Sequence, residues 1–237
     1  WFQDYQHGQG TMFYHNGDMY EGGWANDKRE GQGIYTWKNG SKYSGAWKGD
    51  KKNGQGELMW NDGCKYTGNW KNDSRDGKGT FEYANGDKYV GDWVDDIQHG
   101  KGIYFFHTGD RYEGAYLLGE RTGAGIYYHA NGDKYVGNFK EGMQDGKGTF
   151  TWANGAVYEG DWKDNKRNGF GRYKWNNGDV YEGEKYAADE HERGALAIFI
   201  VDATEEGSEE DCAEGEHGRD EACYVFGYRI FHYHQFG

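Results

Sequence analysis

The chain has 237 residues with 42 glycines, no proline, 18% aromatic residues and a net charge of −13. This composition excludes collagen, which needs a strict Gly-X-Y period, and an abundance of Tyr, Trp and Phe argues against a disordered low-complexity chain. Residues 187–237 hold 13 acidic and three basic side chains, so the first 186 are nearly neutral. No basic face is available to offset nucleic-acid phosphates.

In chain order, the dominant signal is a tyrosine every 23 residues without insertion: Tyr20, Tyr43, Tyr66, Tyr89, Tyr112, Tyr135, Tyr158 and Tyr181. Glycine follows two residues later, as at Gly22, Gly45, Gly68 and Gly91. An aromatic stands two beyond that, as at Trp24, Trp47, Trp70 and Trp93, continuing through Tyr116, Phe139 and Trp162 until Lys185 breaks the pattern. A Gly-x-Gly pair shares the period, from Gly8/Gly10 to Gly169/Gly171, and suggests a sharp reversal where one repeat steps to the next. Asn-Gly or Asp-Gly then follows in nearly every copy, Thr108-Gly109 being the variant. Between β-prone runs such a dipeptide predicts a hairpin, because tight turns need positive φ.

Each repeat therefore reads as one β-hairpin. Alternation with period 2 puts Phe81 and Tyr83 on one face and Glu82 on the other. The outer slot of that aromatic face recurs as Tyr14, Trp37, Trp60, Tyr83, Phe106, Trp152 and Trp175, with His129 in the remaining copy, and these aromatics are the candidate partner-binding ladder. Opposite parity gives Lys42, Lys65, Lys88, Arg111 and Lys134, read as a solvated row on a mainly polar face. The glycine inside Tyr-x-Gly-x-Trp predicts that an aromatic ring lies across it.

Tyr-x-Gly-x-Trp, a charged turn such as Lys71 to Asp76, Gly-x-Gly and a hydrophobic strand resemble the MORN (membrane occupation and recognition nexus) repeat over residues 1–186. The resemblance implies an all-β, single-layer elongated solenoid of 23-residue hairpins. Family members are mostly non-enzymatic adaptors, including radial-spoke head and other axonemal components, cytoskeletal scaffolds and a myosin-tail-binding adaptor. It therefore implies a scaffold that binds protein partners, in the cytoplasm and cytoskeleton or a ciliary axoneme, with homo- or hetero-oligomers of MORN proteins among the expectations. The alternatives are a peripheral membrane module for anionic phosphoinositides, or the MORN portion of a larger enzyme.

Residues 1–201 are expected to form the array, with Ala195 to Val201 as a last strand. Residues 202–222 read as an acidic loop or tail, and 223–237 as a closing strand pair within an atypical C-terminal cap.

Catalytic and cofactor readings are weak. Asp76-Gly77-Lys78-Gly79-Thr80 lacks the P-loop spacing, and no helix follows it. The acidic residues recur in every repeat, whereas a catalytic pair would stand out as unique. Cys64, Cys212 and Cys223 have no zinc or disulfide spacing, which fits a reducing compartment. His232 and His234 share a strand face but have no third ligand placed by spacing. The expectation is a chain without enzyme activity, cofactor or metal, and the first 1–186 begin inside a repeat, as a fragment would.

Overall fold

The computed structural model describes residues 4–185, 222–225 and 228–231. Sixteen strands, β1 (Gly8–Phe13) to β16 (Val180–Lys185), form one antiparallel sheet in strict sequence order, so the array is a continuous meander. Each strand pairs only with its chain neighbours, so each repeat packs against the next and the same register recurs in each copy. Separately, β17 (Ala222–Val225) and β18 (Tyr228–Phe231) pair antiparallel with Val225 opposite Tyr228. The expected strand at 195–201 and most of the acidic segment, together with His232 and His234, lie outside the described residues.

Two kinds of turn alternate along the sheet. At Asn16-Gly17 only the glycine has positive φ, 93°, and its amide donates to the Tyr14 carbonyl at 3.0 Å. This is a type I turn closed by a left-handed residue rather than a two-residue hairpin loop. The two-residue loops join one repeat to the next: at Asn26-Asp27, between β2 (Met19–Ala25) and β3 (Lys28–Thr36), both residues have positive φ, 48° and 64°. Here the structure corrects the sequence reading of Gly-x-Gly as the site of reversal. Gly31 lies inside β3, where the register slips between Gly22 and Trp24 across the strand pair, so from Gly31 onward the first glycine of each pair marks a β-bulge.

Neighbouring repeats are clipped together at both sheet margins. Asp18 accepts the Lys38 amide at 2.9 Å and the Tyr35 hydroxyl at 2.8 Å, and Asp87 and Asp110, three and four repeats further along, accept the equivalent pair of bonds. At the other margin Asp50 and Asp96 accept the backbone amides of Arg29 and Arg75. Asp87 also takes bonds from His107 Nδ1 and Asn85; although burial opposes ionisation, these donors bring its carboxyl down to about 2.

The core lies on one face of the single layer. Tyr20, Tyr43, Tyr66, Tyr89, Tyr112 and Tyr135 are completely buried. Each ring leans along its own strand over the glycine pair, as the sequence predicts. At Gly79 an added Cβ would stand 2.2 Å from the Tyr66 hydroxyl. The hydroxyls reach backbone carbonyls three residues on, Tyr66 to Asn69 at 3.0 Å for example, and burial pushes the Tyr20, Tyr66, Tyr112 and Tyr135 phenols up to about 12. Trp70 seals the row edge-on, 5.1 Å from Tyr66 and 5.5 Å from Tyr43, while its indole NH donates to Gly56 O at 3.1 Å. Among the described residues no second layer covers this face, and the sheet makes its core from its own aromatic side chains.

Candidate functional site

The sheet offers two long surfaces. On the ring face, the ladder expected from sequence is assembled as a continuous zigzag from Trp60 to Trp175. Its links include Trp60–Phe81 at 5.4 Å, Tyr83–Tyr104 at 5.9 Å, Phe106–Tyr127 at 5.8 Å and Trp152–Tyr173 at 5.1 Å. His129 bridges it, 4.6 Å from Tyr127 and 5.7 Å from Phe150. Tyr14 and Trp37 join Tyr35 in a shorter group. All are half-buried against the tyrosine core except Trp175, which is 42% exposed.

A row of cations that sequence reading missed is part of this face. Arg29, Lys52 and Arg75 lie 4.3, 4.1 and 4.3 Å from the rings of Trp47, Trp70 and Trp93. Arg121 and Arg167 occupy the equivalent places, with Gln98 and Gln144 between. Desolvation lowers the Lys52 pKa, against the pull of Asp73 and Asp96. The signal was present as a 23-residue period, but charged residues beside a turn read as solvated unless the stacking partner is known.

The opposite face differs from the mainly polar surface expected. Its centre is a trough of about 1080 Å³ crossing β5 (Lys51–Met59) to β12 (Lys134–Lys140). Seven strand spacings make it about 33 Å long. Glycine pairs such as Gly91–Gly102 and Gly114–Gly125 form a floor of bare backbone, since their missing Cβ atoms would point to the ring face. One rail carries Val90, Ile103, Glu113, Ile126 and Val136, which follow one another in cross-strand register. The other carries Lys101, Ala115, Ala124 and Asn138, and the ion pairs Lys78–Asp92 at 2.5 Å and Lys147–Asp161 at 2.7 Å flank that apolar stretch. The rails stand two residues apart along each strand, roughly 6.7 Å, which admits a single row of side chains.

The predicted solvated row also lies on this face and is only partly solvated. Lys42 is exposed, whereas Lys65, Lys88, Arg111 and Lys134 are half-buried, and the Arg111 guanidinium sits 4.3 Å from the Tyr128 ring. Phe105 and Tyr128, paired opposite Arg111, supply the apolar surface that the lysine pattern concealed. Beside the inter-repeat turns, Lys28, Lys48, Lys51, Lys71, Lys140, Lys163 and Lys166 form an exposed row on the same face. Among the described residues no group of three or more potential metal ligands converges.

Comparison with known proteins returns one family. The MORN repeat model matches residues 1–19, 20–42, 43–65, 66–88, 89–111, 112–134, 135–157 and 158–180, in phase with the strand pairs. No curated protein matches. Among solved structures, the chain is similar to the SAS-4 (dCPAP) TCP domain in complex with a proline-rich motif of Ana2 (dSTIL) from Drosophila melanogaster. That likeness has 13% identity, 75% of this chain and 90% of the other, and a TM-score of 0.44. It is also similar to the CPAP G-box domain, with 12% identity, 75% of this chain, 99% of the other and a TM-score of 0.34.

Proposed function

The chain belongs to the MORN repeat family, and we propose that it is a scaffold that holds partner proteins along the array. Arrays of this family are generally non-catalytic. The observation that carries the reading is the glycine-floored trough. Val90, Ile103, Ile126 and Val136 stand on a single-layer sheet with no second layer above them among the described residues, and Val136 is 42% exposed. A contiguous apolar strip bounded by charge is the usual makeup of a protein-binding surface. Its interior strands already use their backbone hydrogen bonds on both sides, so an occupant gains from side-chain packing between the rails and not from strand addition. The half-buried aromatic ladder on the other face offers further contact area, with similar chemistry every 23 residues and therefore avidity for long partners. A cytoskeletal or axonemal assembly is the proposed setting, supported by the family resemblance alone.

The row of exposed lysines beside the inter-repeat turns favours a second reading, a peripheral module that binds anionic phosphoinositides. Affinity capture from cytoskeletal extract, run beside sedimentation with anionic liposomes across salt, separates the two. The scaffold reading expects stoichiometric proteins whose capture is lost on Ile103→Lys. Salt-sensitive liposome binding without such proteins would replace it with the membrane module.

A further inference from the structure

The lysine row beside the inter-repeat turns is interrupted in two adjacent repeats. Where Lys48 and Lys51 or Lys163 and Lys166 stand, the turn between β8 (Lys88–Val94) and β9 (Ile97–Phe105) has Val94 and Ile97, and the next turn on that side has Leu117 followed by Leu118. All four are exposed: Val94 44%, Ile97 43%, Leu117 51% and Leu118 73%. The two turns abut, for the Gly119 amide donates to Gln98 O at 3.0 Å and a Cβ at Gly119 would lie 3.8 Å from Ile97 Cγ2.

Leu118 is anomalous for a second reason. It is the first residue of its two-residue turn and has φ of +51°, a costly conformation for a branched L residue. The equivalent places hold Asn26, Gly49, Asn72, Asp95, Glu141 and Asp164, all polar or glycine. Folding gains nothing visible from a strained leucine that leaves most of its side chain in water.

We propose that Val94, Ile97, Leu117 and Leu118 form a docking patch for a basic amphipathic helix of a partner protein. Charge selects the partner's sign: the exposed charges at the tips of these two turns are carboxylates, among them Asp95 and Glu120, with Glu141 beside them, while Lys71 and Lys140 stand one turn further out on either side. Spacing selects the helix. Successive turns on this margin are two strand spacings apart, about 9.5 Å, and residues i and i+7 of a helix are about 10.5 Å apart. The turn tips bond to the preceding repeat, as Asp96 N to Arg75 O at 3.0 Å, so the occupant must satisfy its own backbone, which a helix does. The acidic tips oppose an anionic bilayer and a second copy of the same patch.

The probe is a fluorescein-labelled peptide with Leu at helical i, i+3, i+4 and i+7 spacing and Lys elsewhere, titrated with the full chain by anisotropy. A control peptide has every Lys replaced by Glu. The Lys peptide should bind, weakening at least tenfold with Leu118→Asn and with Leu117→Ser, while the Glu peptide should not bind. Leu118→Asn should also raise Tm by about 2–4 °C as the turn relaxes. Ile103→Lys, in the trough, should leave peptide binding unchanged, which separates this patch from the scaffold reading.

Binding indifferent to Leu118→Asn, or equal binding of the Glu peptide, would overturn the proposal. A lowered Tm for Leu118→Asn would make the leucine structural and overturn it too. Vesicle binding or dimer formation by the wild-type chain, lost in Leu118→Asn, would reassign the patch to a bilayer or a second copy.

Discussion

Gly79→Ala tests how this sheet makes a core from its own aromatic side chains. Gly79 has no positive φ, so the substitution introduces no backbone strain, only a methyl group facing the ring side. That carbon would stand 2.2 Å from the Tyr66 hydroxyl and 2.5 Å from Cε2 and Cζ, so the ring must lift. Tyr66 is wholly buried and has little room to move. Displacing it weakens its 3.0 Å bond to Asn69 O, worth about 1 kcal/mol, and its edge contacts with Trp70 and Trp93, worth about 0.5–1.5 kcal/mol each. Overpacking adds roughly 1–3 kcal/mol, and the stiffer unfolded chain returns about 0.4–1 kcal/mol. With partial loss of each contact the net cost is about 3 kcal/mol. Gly40→Ala is the comparison: φ is 91° and nothing lies within 4 Å of the added carbon, so strain alone costs about 1–2 kcal/mol. Urea unfolding followed by far-UV circular dichroism measures both, and Tyr66→Leu completes a double-mutant cycle. In the Tyr66→Leu background, Gly79→Ala should be nearly neutral. The steric account fails if Gly79→Ala costs no more than Gly40→Ala, or costs the same with and without the Tyr66 ring.

Further outcomes follow from the same geometry. Phe139→Trp should stabilise by about 1 kcal/mol in urea, because an indole there could donate to Gly125 O as Trp162 does to Gly148 O at 3.1 Å. Arg75→Ala should cost about 1–2 kcal/mol by thermal melting, through loss of stacking on Trp93 at 4.3 Å and of bonds to Asp96, with Arg75→Lys retaining part of the stacking as Lys52 does. The buried tyrosines have phenols raised above their ordinary value of 10.0, so their contribution is complete below pH 10 and is lost as pH rises through about 12. Absorbance at 295 nm should therefore show tyrosine ionisation coinciding with loss of the strand signal. At the acid end the lowered Asp87 carboxyl contributes stability above its ordinary value of 3.8 that is lost as pH falls through about 2. Asp87→Asn should flatten the stability profile across that window in a pH series of melts.

The hairpin array was legible because its determinants are local and recur in phase. A 23-residue tyrosine period, turn glycines and strict alternation specify strand, face and register together, and Tyr66 over Gly79 shows that the glycines were read for the right reason. The bulge was not legible. Gly31 and Gly17 both have positive φ, 75° and 93°, yet one sits within a strand and the other in a turn, and only the pairing of Gly22 with Gly33 distinguishes them. The trough escaped for a different reason. Val90, Ile103, Ile126 and Val136 each stand alone between a tyrosine and a glycine in sequence, and only cross-strand register sets them side by side. Leu118 was visible as a residue type, but its strain needed a backbone angle.

The central claim, that partners lie in the glycine-floored trough, is tested most directly by site-specific photo-crosslinking in extract. A photoreactive residue is placed at position 103 on the trough rail, at position 175 on the aromatic ladder, or at exposed position 42. Ile103 should yield discrete protein adducts that Val136→Lys in the same chain abolishes, with none from Lys42. Adducts from Trp175 alone, or none at Ile103 that respond to Val136→Lys, would contradict the account.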